Sequence, residues 1–72
     1  MSGEALFWTW RFRGPAGEPL DELAPEMHTR FDAEAWLGEH WRVIARRGAA
    51  HAVLLLGGEP VGPGADLREF RI

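Results

Sequence analysis

Apolar and polar positions alternate most clearly near the start of the chain. In Ala5-Leu-Phe-Trp-Thr-Trp-Arg-Phe-Arg13, Leu6, Trp8, Trp10 and Phe12 fall on one side, and Ala5, Phe7, Thr9, Arg11 and Arg13 on the other. A period of two carried by aromatic residues predicts a half-buried strand. Gly14-Pro-Ala-Gly17 ends it with turn chemistry. Residues 18–26 are acidic and contain two prolines, which predicts an extended connection anchored lightly by Leu20 and Leu23. Met27 to Phe31 predicts a short second strand, with Met27, Thr29 and Phe31 on one face.

The period then becomes helical. Asp32 is the expected N-cap and Ala33 to Arg47 carry the pattern. Phe31 before the cap and Trp36 after it suit a hydrophobic staple. Gly48 is placed to end the helix in the left-handed conformation. Glu34 sits near the positive end of the helix dipole, and Arg42, Arg46 and Arg47 toward the negative end. Gly38 is a weak point, costing about 1 kcal/mol against Ala. At a turn of about 100° per residue, Ala33, Trp36, Leu37, His40, Trp41, Val43 and Ile44 form one broad face, with Glu39, Arg42 and Arg46 opposite.

His51 to Leu56 predicts a third strand, apolar on both sides and therefore central or covered twice. Gly57-Gly58 is a hairpin turn, and Glu59-Pro60-Val61 a short return that Pro60 confines to an edge. Gly62-Pro63-Gly64 ends it. Leu67 is expected to dock and the last residues to fray.

The whole predicts an α+β fold in the order β-β-α-β-β: a small antiparallel sheet with one helix packed on one face. The 72 residues form a single domain, with 1–4 and 68–72 expected to be mobile. The sheet face away from the helix would carry Phe7, Thr9 and Arg11 beside Val53 and Leu55. That is a candidate interaction surface, because contiguous exposed apolar area is uncommon on monomers.

Composition sharpens this picture. The chain is 46% hydrophobic with four Trp and four Phe, which suits the dense core so short a domain requires. No Cys is present, so disulfides, thiolate metal sites and cysteine nucleophiles are excluded, and a reducing cytoplasm is the expected setting. No signal peptide is expected, and the apolar run Ala49–Leu56 is far too short to span a membrane. All eight basic residues are Arg, and the net charge of −3 removes the usual electrostatic footprint of nucleic-acid binding.

Candidate chemistry is sparse. The hydroxyls are Ser2, Thr9 and Thr29, which gives no Ser-His-Asp arrangement with an oriented serine. Glu34, Glu39 and His40 could do acid–base work, but Glu39 faces away from His40. His28, His40 and His51 lack the spacing that presents two imidazoles together, so they read as a surface, a core and a strand-start residue. His40 stands out, since a histidine among Trp36, Trp41 and Ile44 needs a hydrogen-bond partner. Burial there would disfavour the imidazolium, making His40 a candidate pH-sensitive core residue. Trp8, Trp10 and Phe12 interleaved with Arg11 and Arg13 suggest a base-stacking platform, but alternation sends aromatics and arginines to opposite faces.

Three segments together carry a family likeness: Phe7-Trp-Thr-Trp-Arg-Phe12, Phe31-Asp-Ala-Glu-Ala-Trp-Leu-Gly-Glu-His-Trp-Arg42, and Val53-Leu-Leu-Leu-Gly-Gly-Glu-Pro-Val-Gly-Pro63. The chain resembles a group of small uncharacterised actinobacterial proteins with a Trp-rich first strand and an F-x-A-E-x-W-L-G-E-x-W-R helix. The resemblance implies a cytoplasmic bacterial protein and no particular activity. The expected function is a small non-catalytic protein-interaction or adaptor domain, without cofactor or metal. It would associate with itself, as a homodimer, through the open sheet face or an edge strand. The alternatives are a nucleic-acid-associated accessory domain using Arg11, Arg13 and the helix arginines, or a small enzyme subunit.

Overall fold

The protein is described from a computed structural model, for residues 6–21 and 24–69. The expectations placed on Leu23, on residues 1–4 and on residues 70–72 lie outside these. The elements are β1 (Trp8–Arg13), α1 (Arg30–Arg46), β2 (His51–Leu56), β3 (Glu59–Pro60), β4 (Ala65–Asp66) and a 3₁₀ turn at Leu67–Glu69. The fold is α+β, with one helix and an open antiparallel sheet. The strand β2 is central, β1 lies along one side, and β3 and β4 follow each other along the other.

The alternation in β1 works as predicted. Trp10 pairs with Leu54 and Phe12 with Ala52, so these four residues share the face that meets the helix. Trp10, Phe12, Ala52 and Leu54 join Ala33, Leu37 and Ile44 in one buried cluster, closed by Leu67. The helix contributes few but well-placed contacts. Ala33, Leu37 and Ile44 fall within about 40° of one another on the helical wheel. Val43 lies well outside that arc and is 46% exposed, so the predicted apolar face is too wide at this residue. The indole Nε1–H of Trp10 donates to the Ala33 carbonyl at 2.7 Å, a buried bond tying strand to helix.

The helix starts earlier than Asp32. Thr29 is the N-cap in extended conformation, and its hydroxyl accepts the Asp32 backbone N–H at 3.0 Å. Asp32 is thus the third helical residue, where its carboxylate suits the dipole. Phe31 falls in the first turn, 76% exposed, and forms no staple. This start also consumes the strand predicted over Met27–Phe31. What remains is a single bridge, in which Met27 and Trp8 exchange both backbone hydrogen bonds. The fourth strand comes instead from Ala65–Asp66. At the other helix end, Gly48 N–H donates to Ala45 and Ala49 N–H to Ile44, the double closure of a Schellman motif.

Beyond α1, the Gly57-Gly58 turn has φ of 59° and 88°, the paired positive values of a type I′ hairpin. The return strand does not keep step. From the Leu55–Pro60 pair to the Ala52–Ala65 pair, β2 advances three residues while the returning chain advances five. The two extra residues are accommodated at Gly62-Pro63-Gly64, opposite Val53. At Gly64 the backbone passes so close to β2 that a Cβ would lie 2.7 Å from the Ala52 carbonyl oxygen, so only glycine fits. Leu67 then docks, 1% exposed, with its N–H on the Ala50 carbonyl.

Candidate functional site

Two surfaces have the character of a site. The first is the sheet face away from the helix. Register places Thr9 beside Leu55, Arg11 beside Val53 and Arg13 beside His51. Phe7, Thr9 and Val53 are half-buried and Arg11 is exposed. Leu55, expected on this surface, is only 5% exposed and backs the surface instead of forming it. The neighbouring loop accounts for two of the others. The Thr9 hydroxyl donates to the Ala24 carbonyl at 3.1 Å, and the Phe7 ring lies 5.2 Å from that of His28. The accessible remainder is Val53 with part of Phe7, bordered by Arg11 and Arg13.

The second surface was not legible in the sequence. The two-residue mismatch pushes Gly62–Gly64 out of the ladder, and a cleft of about 340 Å³ opens between that segment and the first half of α1. Its floor is apolar, formed by Trp10, Leu37 and Leu54. Arg30 and Glu34 line the helix side, joined by an ion pair of 3.1 Å, with both side chains more than half exposed. Phe31 stands beside Arg30 with three quarters of its surface in water. The available signal was the proline between two glycines that directly follows the short return strand.

The residues considered for catalysis, metal or nucleic acid do not converge. The hydroxyls of Thr9 and Thr29 both serve structural hydrogen bonds. No group of three or more His, Asp or Glu side chains able to hold a metal occurs among the described residues. His40 is half-buried and stacks on Trp36 with ring centroids 4.4 Å apart. Its Nδ1 is 2.8 Å from the Trp36 carbonyl, and because a carbonyl can only accept, Nδ1 carries the hydrogen. His40 therefore has the partner its setting demands and does not line the cleft. Trp10 and Phe12 are spent on the core, while Arg11 and Arg13 project from the opposite face. Arg42 lies over the Trp41 ring at 5.4 Å, a cation–π contact on the helix itself.

At the end of β4, Asp66 accepts hydrogen bonds from the Arg68 guanidinium and from the Arg68 backbone N–H, which starts the 3₁₀ turn. These bonds, with the nearby Arg68 and His51 charges, hold the Asp66 carboxyl down at about 2. No helix among the described residues is long and apolar enough to cross a membrane. Comparison with known protein families, curated proteins and solved structures finds no match.

Proposed function

We propose that the protein is a non-catalytic protein-interaction domain of the adaptor kind, which also associates with itself and acts in the cytoplasm. The observation that supports this reading is the one-sided cover of the sheet. A single helix packs on one face, while on the other Val53 and Phe7 remain half-accessible, with Arg11 directly beside Val53 and Arg13 next along the strand. An apolar centre with a basic border suits a protein surface that offers an apolar contact and carboxylates. So small a domain also gains much from burying further apolar area against a second copy.

The nucleic-acid alternative would rest on Arg11, Arg13 and the helix arginines without base stacking, because Trp10 and Phe12 are buried in the core. Sedimentation velocity over the micromolar to submillimolar range tests self-association. An associated species whose share grows with concentration is expected. A monomer across that range would overturn the self-associating form of the proposal.

A further inference from the structure

We infer that the cleft between α1 and the Gly62–Gly64 segment is a socket for Phe31 of a second copy of this chain. The inference rests on the self-association proposed above and names the residues that make the contact. The helix-free sheet face offers less for it, since Leu55 is buried there and the loop already engages Thr9 and Phe7.

The cleft has the opposite character. Its floor of Trp10, Leu37 and Leu54 is apolar and belongs to the buried core, and Val61, Pro63 and Ala65 line its side. At about 340 Å³ it has room for an aromatic side chain, since a cavity of about 150 Å³ already holds a benzene ring. The same molecule carries a ring to fill it. Phe31 is the most exposed of the large hydrophobic residues described, and it sits on the first helical turn next to Arg30 at the cleft's edge. Plug and socket lying side by side on one surface are what a two-fold interface needs, because each copy then gives its ring and receives its partner's.

The charges agree with this arrangement. Arg30 and Glu34 are a turn apart, exposed and opposite in sign. Two copies meeting with α1 antiparallel can exchange partners, Arg30 of each facing Glu34 of the other, so no like charges are forced together. A central aromatic anchor bordered by a polar pair is the usual distribution of binding energy at a protein interface.

Phe31→Glu tests the inference, because an exposed first-turn residue can become acidic without harm to the helix. Each two-fold dimer loses two buried rings, so the dissociation constant should rise by at least about a hundred-fold. Phe31→Leu should keep most of the association, and circular dichroism should show both variants folded. Val53→Asp, on the sheet face, should associate like the wild type. If the wild type associates and Phe31→Glu matches it while Val53→Asp is monomeric, the socket is wrong and self-association stands. If the wild type itself is monomeric, both are wrong.

Discussion

Thr29 and Asp32 show how one hydroxyl can reset an element. Both are good N-cap residues, and sequence pattern favours Asp32 because the apolar periodicity begins immediately after it. The structure gives the cap to Thr29 and places Asp32 three residues along, where it gains from the dipole only. Thr29→Ala should therefore cost about 1 kcal/mol of unfolding free energy, and Asp32→Ala clearly less. Urea denaturation of the two variants gives the order directly, and the reverse order would return the cap to Asp32.

Asp66 makes a prediction of the opposite kind, one visible only against pH. Its carboxyl is held at about 2, below the ordinary 3.8. A group with a lowered folded-state value stabilises the fold above its unfolded value, and that contribution disappears as pH falls through the folded one. The thermal midpoint should thus fall between pH 4 and 2 in the wild type, and less steeply in Asp66→Asn. Equal slopes would show that the Arg68 bonds contribute nothing to the fold.

Among the elements, β1 was the most legible, because alternation of Trp and Phe with Arg leaves little choice of face. The Gly57-Gly58 turn was equally clear, since two adjacent glycines supply the two positive φ values that hairpin needs. The helix was legible in kind and in its C-terminal end, but not in its start. The strand expected at Met27–Phe31 failed for the same reason: Thr29 captured the last residues for the helix and left Met27 a single bridge. The fourth strand and the cleft were hidden because both depend on register. No local pattern announces that Gly62-Pro63-Gly64 will take up two extra residues and still return Ala65 to the same neighbour. Of the expected surface, Val53 and Arg11 could be read from alternation, whereas the burial of Leu55 could not. The bond from Trp10 to Ala33 joins the two most legible elements. Trp10→Phe, which keeps an aromatic ring but drops the N–H, should lower stability by about 1–3 kcal/mol through the lost bond and the missing ring volume. An unchanged denaturation midpoint would show that the indole nitrogen is incidental.

For the molecule as a whole, the fold is a two-layer arrangement with unequal surfaces. One layer is a helix whose inward arc is narrow and whose first turn carries a solvent-exposed ring. The other is a sheet whose uncovered side is basic at its border. These two surfaces can be occupied at once, since Phe31 and Val53 belong to different layers. An adaptor built this way would pair through its helices and offer two sheet faces to other molecules. Crosslinking of a wild-type dimer with an acidic-apolar peptide should therefore give two peptides per dimer, and competition between peptide and dimer would contradict the arrangement.

The mismatch in the return strand also bears on what this protein avoids. An uninterrupted outer strand invites a stranger's backbone to zip onto it. Here that flank is cut into two-residue pieces by Gly62-Pro63-Gly64, and Pro60 withholds a donor from one piece. Along the far flank, Met27 and Leu20 already occupy main-chain groups of β1. Ribbon-like stacking of many chains thus finds no continuous template on either side, so the pairing proposed above would not have to extend into a fibre.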